Sequence, residues 1–326
     1  MLSCRHRLAG VSLFSIFATA ILPVIAVAAA GYLLGRFEGV DPSALNTVTV
    51  YVLAPALVVH SFATTPFPAS TLVRVTVAVV AFSAVMLLLS EGFGRLRGQT
   101  EPLLGAFVLV AAFPNVGNFG IPLSEFAFGP SGRSTAILVT ALQGVLLYTV
   151  GVYIAARGGD GSPLSSMKRV FSIPLIYAVV GTLAARWLGV VPAQSTAAMQ
   201  TIQMLGNASI PVMLLILGIR LSNVDASETM ARVGVASGVK LLAAPLVGLA
   251  IALALGFENA AVARTFVLLT AGPTAVTPVI LVGAFGGDND GSAASQFVST
   301  SVSVTTLASV VTVTLLVAAL QSGLVL

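Results

Sequence analysis

Prolines, glycines and asparagines interrupt one apolar stretch of the chain and could form a small polar site there. The stretch covers residues 111–129 and contains Pro114, Asn115, Gly117, Asn118, Gly120 and Pro122. Proline removes a backbone donor and clashes with the preceding turn, and each glycine costs about 1 kcal/mol in a helix. We therefore predict two half-helices, at residues 101–113 and 118–129, separated by an unwound link.

The start of the second half-helix is a candidate anion site. We expect Asn118 to cap this half-helix, because asparagine is a favoured capping residue. The N-terminus of a helix carries unpaired N–H groups and a partial positive charge, which attract anions. The amide groups of Asn115 and Asn118 would lie beside these donors. The pattern therefore predicts a binding site for a carboxylate or another anion.

A second interruption lies in the other half of the chain, within residues 269–287. Its link would contain the pair Gly272 and Pro273. Either Thr274 or Thr277 would cap the following half-helix, and Pro278 would lie in its first turn, a favourable position for proline. Interrupted hydrophobic segments at corresponding places in two halves of a chain indicate the binding site of a secondary transporter. A pair of proline-kinked structural helices is the alternative, because glycine and proline are frequent in membrane spans.

Two further polar residues within apolar segments are candidates for the same site. Lys240 lies roughly nine residues, or ~13 Å, into its helix, where burial of its charge is expensive. It could balance the charge of a substrate or pair with a carboxylate, or its stem could extend to the membrane surface. Asn207 precedes Pro211 and could reach the cavity, or it could bind carbonyl groups that the proline frees.

The composition is that of an integral membrane protein. Of the 326 residues, 57% are hydrophobic and 8% are charged, and the mean hydropathy is +1.04. A soluble domain carries about 25% charged residues. The net charge of +4 is spread thinly through loops and gives no support for nucleic-acid binding. A single cysteine and two histidines exclude an intrachain disulfide and a His-rich metal site, and no cofactor is expected.

Apolar segments of spanning length predict ten transmembrane helices, at ~20 residues per crossing. They lie at residues 11–35, 44–63, 70–90, 101–129 (interrupted), 134–156, 170–189, 196–221, 231–256, 260–287 (interrupted) and 292–318. The first apolar run could be a signal peptide, but it is long enough to span and we interpret it as the first helix. We expect an all-α polytopic membrane protein without a soluble domain.

The order of the prolines predicts two repeats of five helices, residues 1–156 and 170–326, joined by a polar linker at 157–169. Prolines recur in corresponding helices and loops of the two repeats: Pro23 and Pro174, Pro42 and Pro192, Pro55 and Pro211, and Pro114 and Pro273. The third pair, Pro55 in the first repeat and Pro211 in the second, would interrupt the second helix of each repeat. Five spans are an odd number, so the second repeat would be inverted relative to the first. Inverted repeats supply the two near-equivalent states of alternating access.

Basic residues give a weak indication of orientation, because cytoplasmic loops are enriched in them. The side that holds the 157–169 linker has eight of the fifteen, including Arg220; the other side has six, and Lys240 lies within a span. We expect the linker in the cytoplasm and both termini outside, although Arg5 and Arg7 favour the opposite orientation.

The sequence resembles the auxin efflux carrier family of membrane transporters over nearly its whole length. The resemblance is carried by PNVGNFGIPL from Pro114, by the Gly-Pro pair at 272–273 followed by Pro278, and by IPVMLLILGIRL from Ile210. It implies ten helices, with the fourth and the ninth broken and crossed. It also implies export or import of small organic anions.

The principal hypothesis is a secondary transporter in the cell membrane that moves a small carboxylate by alternating access. Helices four and nine would move with their neighbours inside the lipid bilayer, against a scaffold that could form a homodimer, and H⁺ or Na⁺ could be coupled. A sodium-coupled symporter resembling the bile acid:sodium symporter family and a non-transporting membrane receptor are the alternatives. An enzyme is not expected, because the chain has no H-E-x-x-H motif and its G-G-D at 286–288 lies near a loop.

Overall fold

The regular elements of the described chain are helices, as the apolar composition predicts. The computed structural model describes residues 18, 21–65, 67–158, 174–222, 230–285, 291–323 and 325–326. The helices are α1 (Leu22–Glu38), α2 (Ser43–Thr64), α3 (Ala69–Leu96), α4 (Leu103–Ala112), α5 (Val116–Ala155), α6 (Pro174–Trp187), α7 (Ala197–Ser222), α8 (Met230–Leu255), α9 (Ala260–Thr270), α10 (Thr277–Phe285) and α11 (Gly291–Gln321).

Six of the described helices are long and apolar enough to cross a membrane by length and composition: α2, α3, α5, α7, α8 and α11. Helices α4 and α9 are also apolar but shorter, and each of them ends at an interruption that the sequence predicts. The prediction of an all-α polytopic membrane protein is confirmed. Most of the predicted linker, residues 159–169, and the start of the first predicted span lie outside the described residues.

Several helices contain a π-type turn, which is wider than an α-helical turn, shortly before a proline. In α2 the turn Thr49–Leu53 precedes Pro55, and in α8 the turn Val239–Ala243 precedes Pro245. Proline cannot donate to the carbonyl one turn earlier, and such a turn absorbs the mismatch. Pro211 behaves differently: α7 continues through it, so the predicted interruption there is wrong.

Helix α5 consists of two parts that run in opposite directions. At Gly129 the backbone takes φ 65° and ψ −154°, a conformation that glycine adopts easily. The Nε2 of Gln143 lies 2.6 Å from the carbonyl oxygen of Pro114, 29 residues earlier. A straight helix would separate these residues by roughly 40 Å. The chain therefore returns to the first interruption after Gly129.

The helices pack as two groups. The scaffold group consists of α1, α2, α6 and α7, and the crossing group consists of α3, α4, α5 and α8 to α11. Within the scaffold group, α1 and α7 approach so closely that a methyl group at Gly218 would overlap the carbonyl oxygen of Ala28, and one at Gly31 that of Leu215. Small residues allow such close approach between helices in a membrane, where packing replaces the hydrophobic effect.

Candidate functional site

The two interruptions cross each other and pair through their backbones. The N–H of Asn115 donates to the carbonyl of Pro273 (2.7 Å), and the N–H of Ala275 donates to the carbonyl of Phe113 (2.9 Å). Backbone groups that an interrupted helix leaves unpaired are costly inside a membrane unless protein or water binds them. At this crossing, each extended link supplies partners for the other.

Side chains of two neighbouring helices hold the paired links. Gln143 of α5 donates to the carbonyl of Pro114 (2.6 Å), and the hydroxyl of Thr305 on α11 accepts from the N–H of Thr274 (3.0 Å). The hydroxyl of Thr274 donates to the carbonyl of Val110, at the end of α4 (3.0 Å). These contacts give partners to further backbone groups of the links and fix their relative position.

A cavity of about 590 Å³ adjoins the crossing. Small-molecule sites usually have volumes of about 300–1,000 Å³, so its size suits a small ligand. Its walls come from α2, α6 and α7 of the scaffold group and from the links, α5 and α10 of the crossing group. The cavity therefore lies between the two groups, at the depth where the helices are interrupted.

Five of the predicted site residues line this cavity: Pro114, Asn115, Gly117, Asn118 and Thr277. Asn115 is 7% exposed, and its Nδ2 has no hydrogen-bond partner among the described residues. Gly117 and Asn118 lie in the first turn of α5, where backbone N–H groups have no acceptor within the helix. This wall of the cavity is therefore rich in hydrogen-bond donors.

The predicted caps differ from those observed. Asn118 lies inside the first turn of α5, at Val116–Gly120, and does not cap the helix, because the helical turn begins earlier than predicted. The Thr274 side chain binds Val110 across the crossing, and Thr277 is the first residue of α10. The capping prediction for Asn118 is wrong, and of the two threonines predicted as alternatives, Thr274 does not cap α10.

The other predicted residues at the two interruptions hold the crossing together by hydrogen bonds and packing. Gly120, Gly272, Pro273 and Thr274 lie at the crossing and do not line the cavity. A methyl group at Gly120 would come within 2.5 Å of the Leu269 side chain, so glycine allows α5 and α9 to cross closely. Asn207 lies elsewhere, exposed on α7 and outside the cavity lining.

Lys240 binds the end of α9 and lies outside the cavity lining. Its side chain is fully buried, and its Nζ donates to the carbonyl of Thr270 (3.2 Å) and lies 5.9 Å from the centroid of the Phe82 ring. The last carbonyls of a helix lack intrahelical donors and carry a partial negative charge, which favours a cation there. Within the described chain no carboxylate forms an ion pair with Lys240, in contrast to one of the predicted alternatives.

Arg220 lines the cavity, although its place near the end of the predicted span 196–221 indicated only membrane orientation. It lies in the last turn of α7 and lines the cavity, and its Nη2 donates to the Oδ1 of Asn46 (3.3 Å). None of the carboxylates that the structure describes pairs with it. Its sequence signal is a basic residue that continues the apolar run from Ile210.

Comparisons with known proteins identify the family of the chain. The chain matches the family described as "Membrane transport protein" over residues 16–167 and 162–313. It is 26% identical over 293 residues to an "Uncharacterized transporter" of Methanothermobacter thermautotrophicus, covering 88% of this chain and 95% of that protein. It is 28% identical over 314 residues to a "Putative malonate transporter" of Rhizobium meliloti, covering 93% of this chain and 95% of that protein.

The family match covers most of the chain, and both relatives are named as transporters. The expectation that the protein is not an enzyme is confirmed, and so is the resemblance to the auxin efflux carrier family. The chain belongs to the membrane transport protein family, that of the auxin efflux carriers, and is a multi-pass membrane transporter.

Proposed function

We propose that the protein is a secondary transporter that moves a small organic anion, a carboxylate, by alternating access, with the substrate bound at the helix crossing. The observation that carries this proposal is the amide of Asn115. Its Nδ2 is buried beside the cavity and lacks a partner among the described residues. A buried donor without a partner costs about 1–3 kcal/mol, which a carboxylate oxygen would recover.

The charges around the cavity support an anionic substrate. The first turn of α5 offers the N–H groups of Gly117 and Asn118, and a helix N-terminus favours anions. Arg220 adds a cation, and its planar guanidinium suits a carboxylate. A relative named as a malonate transporter makes malonate the first substrate to test.

The position of the cavity supports alternating access. It separates the scaffold group from the crossing group, and motion of one group against the other would change its exposure. Several lining residues lie near helix ends that lead to the 157–169 linker side: Asn46 of α2, Tyr148 of α5, Pro174 of α6 and Arg220 of α7. We propose that this conformation is open toward the linker side, which the charge bias assigns to the cytoplasm.

The proposal includes two inverted five-helix repeats, residues 1–156 and 170–326, and ten membrane spans with the fourth and ninth broken and crossed. Its support is the recurrence of an interrupted helix at corresponding places, between α4 and α5 and between α9 and α10. It also places the protein in the cell membrane with both termini outside. Coupling to H⁺ or Na⁺, and a homodimer formed through the scaffold group, complete the proposal.

Uptake of labelled malonate into proteoliposomes tests the function. We expect the wild type to exchange external malonate for internal malonate and Asn115→Ala to lose at least about fivefold in uptake, the factor that corresponds to ~1 kcal/mol. Asn207→Ala is the matched control, because this asparagine is exposed outside the cavity. Undiminished uptake by Asn115→Ala would remove this residue from the site.

Gradients and counterflow separate the rival functions. Uptake that requires a sodium gradient would favour the symporter alternative, and uptake that requires a proton gradient would identify H⁺ as the coupled ion. Binding of a carboxylate without exchange would identify a receptor. Failure to bind or exchange malonate and related small carboxylates would refute the proposed substrate class.

A further inference from the structure

A second cavity, of about 340 Å³, lies at one surface of the helical bundle. Its walls come from the turn between α3 and α4, the start of α8, and Phe297 of α11. It shares no lining residue with the cavity at the crossing. Arg157, the first residue of the predicted linker after α5, pairs with Glu101 near this turn (3.1 Å). The second cavity therefore lies on the linker side of the molecule.

Two arginines border this second cavity. Arg97 directly follows α3, and Arg232 lies in the first turn of α8, so both are at helix ends where the membrane surface is expected. Both side chains are exposed, and neither forms an ion pair with a carboxylate that the structure describes. The guanidinium of Arg97 lies 5.7 Å from the centroid of the Phe93 ring, which restrains its position.

Neighbouring basic residues at the same end of the bundle are neutralised. Glu91 binds Arg95 (2.8 Å) and Arg157 (2.9 Å), with Arg157 using two nitrogens for the two carboxylate oxygens. Glu91 therefore compensates the charges of Arg95 and Arg157. None of the described carboxylates compensates the charges of Arg97 and Arg232 at the cavity. A concave site bordered by two such cations has a positive potential that attracts anions.

The other polar groups of the cavity suit a phosphoester. Gln99 and Thr100 line it, and the Oε1 of Gln99 is buried without a hydrogen-bond partner among the described residues. Guanidinium groups bind phosphate oxygens bidentately. The Thr100 hydroxyl can donate to an ester oxygen, and the Oε1 of Gln99 can accept from a hydroxyl group of the headgroup or the phosphate. Basic pockets between transmembrane helices at the membrane surface bind anionic headgroups.

We propose that the second cavity binds a phosphate-bearing anion through Arg97 and Arg232, either the headgroup of an anionic phospholipid or a soluble phosphate. Both sources supply the same chemistry, a phosphate oxygen between two guanidinium groups. The apolar wall formed by Leu103, Val235 and Phe297 would lie against the glycerol or the upper acyl chain of a lipid. This site is independent of the transported substrate and of the proposed function.

Thermal unfolding of the full-length protein in neutral detergent tests the site. One series adds inorganic phosphate against sodium chloride of matched ionic strength, and the other adds phosphatidylglycerol against phosphatidylcholine. A ligand that binds the folded state raises the midpoint with concentration, which gives an apparent affinity. We expect phosphatidylglycerol, inorganic phosphate or both to raise the midpoint of the wild type. Each Arg→Gln substitution should weaken the affinity about fivefold, and Arg97→Gln/Arg232→Gln about 25-fold.

Arg36→Gln is the matched control, because Arg36 is also an exposed arginine near a helix end on the linker side and lies outside the cavity. The midpoint in phosphatidylcholine shows whether each variant folds, and Arg97→Lys, which keeps the charge and loses the planar fork, provides a milder variant. A response to phosphatidylglycerol alone identifies a lipid headgroup, and a response to inorganic phosphate identifies a soluble ligand. No response to either, or an equal response in the wild type and the double variant, would overturn the proposal.

Discussion

Polar side chains lie at the helix crossing and around the adjoining cavity. Whether such a side chain supports the backbone or is available to a ligand depends on its hydrogen-bond partners. Gln143 lines the cavity, yet its Nε2 is already bound to the carbonyl of Pro114. Asn115 has an unpaired amide nitrogen beside the same cavity. Lys240 is buried nearby but bound to the end of α9. Of these three residues, Asn115 is therefore the one whose side-chain nitrogen has no partner among the described residues.

Lys240 gives a prediction at this scale that separates helix support from substrate binding. We expect Lys240→Met to leave the affinity for malonate within about twofold of the wild type, because the Nζ lies at the Thr270 carbonyl and outside the cavity lining. The Thr270 carbonyl loses a donor in this variant, and such a loss costs about 1–3 kcal/mol when the group stays buried. Equilibrium binding of labelled malonate to purified protein measures the affinity.

Lys240→Arg is the companion variant, because it keeps the cation at the end of α9. A tenfold loss of affinity in Lys240→Met with recovery in Lys240→Arg would contradict the prediction. That result would mean that the charge of Lys240 acts on the bound substrate.

At the scale of elements, a close backbone contact between α1 and α7 holds the scaffold group together. Gly218 and Gly31 bring the two helices together over their length, and each lies against a carbonyl of the opposite helix. Backbone atoms cannot rotate away from an added methyl group as a side-chain end can. A substitution at either glycine must therefore move the helices apart.

We expect Gly218→Ala to destabilise the protein by about 1–3 kcal/mol, the usual cost of inserting a methyl group into a packed interface. Gly181→Ala on α6 is the control, because no atom lies within 4 Å of an added methyl group there. Thermal unfolding in detergent measures the difference between the two variants. Equal midpoints would show that α1 and α7 separate easily and do not form a rigid unit.

At the scale of the whole molecule, the cavity lies between two groups of helices. The side of the membrane from which the cavity can be reached shows which conformation the protein has adopted. Asn46 lines the cavity at the start of α2, and Ser195 is exposed between α6 and α7, at the opposite ends of the proposed spans. Reagents that do not cross membranes can distinguish these two positions. Cys4 is the only cysteine of the sequence. In a Cys4→Ser protein, one introduced cysteine is therefore the only thiol that the reagent can label.

In this background we expect Asn46→Cys to react with a membrane-impermeant maleimide from the cytoplasmic side, and malonate to slow the reaction. Ser195→Cys, the control, should react from the outer side only and without protection by malonate. Labelling of inverted and right-side-out vesicles measures both. Labelling of Asn46→Cys from the outer side only would reverse the proposed orientation. Equal rates with and without malonate would place the substrate elsewhere.

The sequence by itself determined the class of protein and the places where two helices are interrupted. Both follow from local chemistry: apolar segments of spanning length require a membrane, and proline and glycine at Pro114 and Pro273 disfavour a continuous helix wherever they occur. The donor-rich link was predictable for the same reason, since Asn115, Gly117 and Asn118 are adjacent in the chain. Local sequence alone placed the cap at Asn118 incorrectly.

Only the tertiary structure decided which groups meet. Asn115 pairs with Pro273 across more than 150 residues, Lys240 binds the Thr270 carbonyl, and Arg220, near the end of a predicted span, lines the cavity. The apolar pattern of a membrane helix does not specify which face meets which neighbour, because lipid and protein interior are equally apolar. Packing of the two helix groups therefore selects the partners of the buried polar side chains, and with them the composition of the site.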